Sequence, residues 1–241
     1  MEAIFKKFTD PYERKARLYP ALLAALPVIV FVSIYTEWFT FDIKNALYIT
    51  IVAAGLFWLS GKTRNLGKAV ENRLVAKWGG MPSVTLLRHR DSVLDRYTTE
   101  RYHKAAAGLA DIPLPDHAEE EIDPTDADER YRAVTSALLS KTRDVNEYPL
   151  LFKENINYGF WRNLRGVKPI GCAFSVTIVV LGLWFDRALV SNLQLPDGAE
   201  FAVAASGILM LLGWFTTVTD EAVRQAAQSY AKRLLEALDK A

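Results

Sequence analysis

The sequence predicts an all-α membrane protein, with four transmembrane helices and a helical cytoplasmic domain inserted between the second and the third. Three observations carry this. The hydrophobic residues, 51% of the chain, fall in long charge-free blocks instead of being spread evenly. Lysine and arginine are divided very unequally by those blocks. No alternating apolar and polar run of useful strand length occurs.

A membrane helix needs about 20 apolar residues, because the hydrocarbon core is about 30 Å thick and a helix rises about 1.5 Å per residue. Leu18 to Thr36, Asn45 to Gly61, Pro169 to Phe185 and Phe201 to Thr219 carry no charge. The shorter blocks draw on apolar flanks such as Phe39 and Phe41, or on long side chains that reach the interface. A soluble helix of this length would show a polar stripe, and LLAALPVIVFVSIY has none. The long charged segment before it, and the lack of a small-x-small site, argue against a cleaved signal peptide. Tyr19, Tyr35, Trp38, Trp58, Trp184 and Trp214 gather at block ends, as interfacial aromatic belts do. Pro27 should kink the first helix. Gly171, Gly182, Gly207 and Gly213 should allow close packing, although none stands at GxxxG spacing.

The blocks define residues 1–17 as an N-terminal arm, 18–61 as helices 1 and 2, 62–168 as the inserted domain, 169–219 as helices 3 and 4, and 220–241 as a C-terminal helix. The arm, the inserted domain and the tail hold 27 Lys and Arg, against 2 (Lys44 and Arg187) in the two short turns. By the positive-inside rule both termini and the inserted domain are cytoplasmic, which in a bacterium means the inner membrane.

Within the inserted domain, the second helix should run on through KTRNLGKAVENRLVAKW and stop at Gly79-Gly80-Met81-Pro82. Ser83 should start a short turn. Ser92 is the expected cap of a helix through VLDRYTTERYHKAAAGLA. Nine carboxylates and no Lys or Arg lie from Asp111 to Glu129. This run reads either as a solvated loop or as a contact for the basic remainder of the domain. Asp126 or Thr125 should cap the next helix, and another should start near Tyr148-Pro149 and run into the third span. The C-terminal helix carries Val223, Ala227, Tyr230, Leu234 and Leu238 on one stripe. It can pack on the domain, pair with a neighbouring subunit or lie on the bilayer.

No catalytic constellation is present, so the chain is not expected to be an enzyme. Gly61-Lys62-Thr63 lacks the glycine that a phosphate-binding loop needs at position 56, which is Leu56. His89-Arg90-Asp91 lacks the asparagine of a kinase catalytic loop. His89, His103 and His117 show no metal-ligand spacing, and the lone Cys172 permits neither an internal disulfide nor a cysteine zinc site. No cofactor is expected.

Two polar-aromatic patches remain. Arg88, His89, Arg90, Arg96, Arg101, Tyr102 and His103 form the first. The second runs from Asn155 through Arg162 to Arg165. Guanidinium groups pair with phosphates and rings stack on bases, so Arg88, His89, Arg90, Arg96, Arg101, Tyr102, Arg162 and Arg165 are candidate ligand contacts. The competing reading is a solvated helix face and an interfacial anchor. Glu37, Asp42, Asp186, Asp197 and Glu200 stand at outer boundaries and could form an acidic ring if copies assemble around an axis. The spans hold no ionisable residue at mid-depth, which disfavours a proton-coupled transporter. Ser33, Thr50, Ser175, Thr177, Ser206, Thr216 and Thr217 could line a pore or bond within their own helices.

GGMPSVTLLRHRDSVLDRYTTERYH, the acidic run and ENINYGFWRNLRGVKPIG resemble segments of bacterial four-helix membrane effectors found beside nucleotidyltransferases in phage-defence loci. The resemblance implies a ligand-controlled pore that damages the membrane of an infected cell. The leading expectation is therefore a homo-oligomeric channel or pore whose cytoplasmic domain senses a nucleotide or oligonucleotide. The alternative is a non-conducting membrane anchor or scaffold that docks a cytoplasmic protein partner.

Overall fold

The computed structural model describes residues 9–35, 43–184 and 198–240. Those residues contain helices and no strand. A π-helical turn, Glu13–Leu18, leads into α1 (Tyr19–Tyr35). There follow α2 (Ile43–Trp78), α3 (Pro82–Thr85), α4 (Arg96–Ala110), α5 (His117–Ile122), α6 (Pro124–Lys141), α7 (Pro149–Trp184), α8 (Ala199–Thr216) and α9 (Asp220–Glu236), which ends in a 3-10 turn, Ala237–Asp239. Three helical stretches, Glu13–Ile34, Ala46–Thr85 and Pro149–Leu183, are long and apolar enough to cross a membrane. A further apolar helix, Phe201–Thr216, is bent by 56° from the one that follows it.

The chain divides into two compact units, Met1–Glu71 with Gly159–Ala222 and Asn72–Tyr158 with Val223–Ala241. In the first, Ala21 and Ala24 of α1, Leu59 of α2, Leu164 and Val167 of α7, and Trp214 of α8 form the buried core. Around it, large apolar side chains face outward, among them Ile43, Leu47, Trp58, Leu183, Leu209 and Phe215. An apolar exterior on this scale suits lipid and not water.

Glycine sets the helix approach in this unit. A Cβ on Gly166 would lie 2.6 Å from the backbone nitrogen of Gly67, and one on Gly67 would meet the Asn163 side chain. Gly171 packs against Trp214, and Gly207 against Val179 and Ser175. Gly213, expected to share this role, has nothing within 4 Å. Of the seven span hydroxyls expected to line a pore or bond internally, Ser33, Thr50, Ser175, Ser206, Thr216 and Thr217 each donate to a carbonyl three or four residues back.

The second unit is held by a core of Leu86, Leu87, Tyr102, Tyr131, Val134 and Leu138, closed by Ala231, Leu234, Leu235 and Leu238 of the C-terminal segment. Of the three expectations for α9, packing on the polar domain is therefore the one observed. Gly79 (φ 72°) and Gly80 (φ 146°) end α2 where their sequence position predicts, because only glycine takes these angles cheaply. The helix caps differ from expectation. Asp95, not Ser92, caps α4, its carboxylate accepting from the Thr98 N–H. Asp123, not Asp126 or Thr125, caps α6, with Pro124 at the first helical position. The acidic run is not a plain loop. Asp116 and Glu119 form a capping box on α5, and the run continues into α6.

Candidate functional site

The polar centre of the second unit grows from the short segment after α3, which carries Arg88, His89 and Arg90. Arg88 forks onto Asp128 of α6, with Nε and Nη2 donating at 2.8 and 2.7 Å, and Nη2 also reaches the Gly79 carbonyl at 2.7 Å. Arg90 bridges two carboxylates, donating to Glu120 of α5 at 2.8 Å and to Asp128 at 2.9 Å. Glu120 is 2% exposed. It also accepts from the His89 N–H at 2.8 Å and from the Tyr131 hydroxyl at 2.7 Å. Burial pushes the Glu120 carboxyl up, but these bonds outweigh burial and hold it below its ordinary value. Burial, then the same carboxylate, push the Tyr131 hydroxyl far up, so it remains a donor.

The chain's three histidines meet here. The His89 ring lies 4.6 Å from His103 and 5.9 Å from His117. His89 Nε2 is 3.0 Å from the Pro115 carbonyl, and His103 Nε2 is 2.6 Å from that of Leu87. Desolvation lowers the His103 pKa, because its charged form is expensive in this setting. A groove of about 850 Å³ opens beside the cluster, with His89, Arg96, Glu100, Asp116 and His117 on its walls. No group of three His, Cys, Asp or Glu among the described residues is arranged to hold a metal ion.

The first expected patch is thus divided. Arg88 and Arg90 are engaged by Asp128 and Glu120. His89 and Arg96 line the groove, where Arg96 pairs with Glu100 at 2.7 Å. Arg101 pairs with Asp239 at 3.2 Å and covers the ring of Tyr102, which is itself a core residue. In the other unit, Arg162 is buried against Glu71 at 2.5 Å, and Arg165 pairs with Asp220 at 2.8 Å. Asn163, fully buried, donates to the Ala16 carbonyl at 2.7 Å. Each expected ligand arginine therefore has a carboxylate partner within the chain. Glu37, Asp42, Asp186, Asp197 and the Glu200 side chain, the expected acidic ring, lie outside the described residues. Sequence reasoning missed Glu120, Asp128 and Tyr131. Its one signal was the alternative reading of the acidic run as a contact for the basic segment.

Among the described residues, these features define an all-helical fold in which three helices are long and apolar enough to cross a membrane. A second helical unit carries ion pairs of Arg88 and Arg90 with Asp128 and the buried Glu120. No family model, no curated protein and no solved structure matches the chain.

Proposed function

We propose that the chain is a four-span inner-membrane protein, with both termini and the polar unit in the cytoplasm. It assembles with further copies into a channel or pore that a soluble anionic ligand controls. The observation that carries this reading is the pair of 36-residue helices, α2 and α7. At about 1.5 Å per residue each is about 54 Å long, well beyond the hydrocarbon thickness of about 30 Å. Each gives its apolar part to one unit and contributes residues to the other as well. A ligand that prefers one arrangement of the polar unit would act directly on two spans.

The apolar helix α8 supplies the fourth span, which the charge bias requires if both termini share a side. Since most span hydroxyls bond back onto their own helices, a conducting path needs several copies or a hydrophobic constriction that wets on opening. Arg88 and Arg90 are held by carboxylates, so the ligand contacts there fall to His89, His117 and Arg96, whose own pair with Glu100 is solvent-exposed and exchangeable. The resemblance to defence-locus effectors extends the reading to killing of a phage-infected cell.

A second reading has its own support. Hydroxyls bonded to their own helices equally suit a non-conducting anchor that docks a cytoplasmic protein. Ion flux through liposomes holding the purified chain, with and without nucleotide or oligonucleotide extracts, separates the two. Extract-dependent flux supports the pore. Correctly inserted protein that passes no ions under any condition, together with a stoichiometric partner, supports the anchor.

A further inference from the structure

Cations cluster where α2 and α7 leave their apolar blocks, and the structure treats the two helices differently. Those of α7 are held by the chain. Arg162 is buried on Glu71, Arg165 pairs with Asp220, and the Lys168 amine donates to the Val218 carbonyl at 2.9 Å. Those of α2 are not. Among the described residues Lys62 and Arg64 form no ion pair. Lys68 pairs with Glu71, but Arg162 already neutralises that carboxylate, so Lys68, 53% exposed, is a surplus charge.

Helix geometry sets what these three groups can reach. On α2 Leu59, Thr63 and Glu71 are buried, whereas Phe57, Trp58, Lys62, Arg64 and Lys68 are exposed on the other side. A helical side chain leans toward the N-terminus of its own helix. The apolar half of α2 comes first, so its cations lean back over the apolar block. The Lys62 amine accordingly lies 5.7 Å from the centre of the Trp58 ring. On α7 the polar half comes first, and the cations lean away from the block.

Arg64 and Lys68 stand one turn apart, the spacing at which helical side chains are neighbours. Arg64 starts about 9 Å beyond Trp58 along the axis and leans back from there. That places its guanidinium in a headgroup layer about 5–7 Å deep on each side of the hydrocarbon. Glu71, the one carboxylate of α2, is on the buried side. Toward the middle of the block the exposed side is apolar, with Ile51 and Phe57. Charge beside an apolar surface fits an amphiphile of opposite charge.

We propose that this face of α2 binds an anionic phospholipid. The lipid phosphate lies between the Arg64 guanidinium, whose fork matches two phosphate oxygens, and the Lys68 amine. Lys62, seated on Trp58, borders the headgroup, and the acyl chains run along Phe57 and Ile51. A free phosphate would meet the charges but leave the apolar half uncovered. The inference rests on the membrane reading above for its setting, and on the orientation given there only for the choice of leaflet. It does not need the pore.

The experiment is native mass spectrometry of the full chain released from detergent micelles. Phosphatidylglycerol and phosphatidylcholine with the same acyl chains are titrated in, with glycerol phosphate as the free anion. Phosphatidylglycerol should saturate at a small fixed number per chain, and phosphatidylcholine should bind at least fivefold more weakly. Arg64→Gln and Lys68→Gln should each weaken phosphatidylglycerol about fivefold, the worth of one cation at an anionic surface. Both positions are exposed, and Glu71 keeps Arg162, so both variants should fold. Arg143→Gln and Lys153→Gln, which remove the same charge from the polar unit, should change nothing. Equal binding of the two lipids overturns the proposal. So does phosphatidylglycerol binding that Arg64→Gln and Lys68→Gln leave intact, or glycerol phosphate that binds as tightly as the lipid. A chain that stays monodisperse in water without detergent sinks the membrane reading and this site with it. Lipid selectivity without ion flux sinks the pore alone, and flux without lipid selectivity sinks this site alone.

Discussion

Replacing Glu120 by alanine should open the polar unit selectively. The carboxylate is 2% exposed and accepts from Tyr131, from the backbone N–H groups of His89 and Arg90, and from the Arg90 guanidinium. These losses are not equal. Arg90 is 41% exposed and keeps Asp128, so its share is that of a surface pair, below about 1 kcal/mol. Tyr131 is fully buried, and an unsatisfied hydroxyl there costs about 1–3 kcal/mol. The stranded backbone N–H of His89 adds a cost of the same order, giving about 3–5 kcal/mol in all, in the range for breaking a buried pair. Hydrogen exchange of the full chain in detergent reads this directly. Peptides over 86–91 and 117–136 should exchange roughly 10² to 10⁴ times faster, with peptides of the apolar unit unchanged. Glu120→Gln keeps the shape and one acceptor, and should cost about half as much. An increase below about tenfold in the alanine variant would refute the view that this carboxylate holds α5 and α6 to the Arg88–Arg90 segment.

The remaining predictions concern pH and the buried contacts of the apolar unit. Because Glu120 titrates below its ordinary value of 4.5, its stabilisation is fully present above that pH and is lost as pH falls through the folded value. Glu120→Gln should flatten that acid limb in melting curves of the full chain. His103, also depressed, should make the chain less stable as pH drops below its ordinary 6.5, and His103→Gln should remove that limb. Gly166→Ala gains about 1 kcal/mol of helix propensity but drives a methyl to 2.6 Å from backbone, so the melting temperature should fall. Gly213→Ala meets nothing and should raise it or leave it unchanged. Glu71→Met should cost about 3–5 kcal/mol, and Arg162→Met less, since Glu71 keeps Lys68. The double variant should cost less than the two singles together, and strict additivity in a double-mutant cycle would refute the coupling.

What the sequence made legible was local, and what it hid was the pairing between distant segments. The end of α2 was readable because Gly79-Gly80 is followed by a proline. The start of α7 was readable because Tyr148-Pro149 marks a first turn. Caps were readable only in kind. Several Asp, Ser and Thr residues precede α4 and α6, and the choice of Asp95 and Asp123 depends on where the chain turns. Pro124 at the first position was the clue for the second. Glu120 looks like its eight acidic neighbours, and differs because the fold sets it against Tyr131 and the His89 backbone. The partners of Arg88, Arg162 and Asn163 stand 40, 91 and 147 residues away, and no local period encodes such distances. Asn163 shows where the boundary lies. Pro20 has no N–H, so the chain alone says that the Ala16 carbonyl, four residues earlier, loses its helical donor. The chain alone does not say what replaces that donor. The replacement is the Asn163 amide, brought within 2.7 Å of the carbonyl on α7, whose neighbour Gly166 lets α2 come close at Gly67.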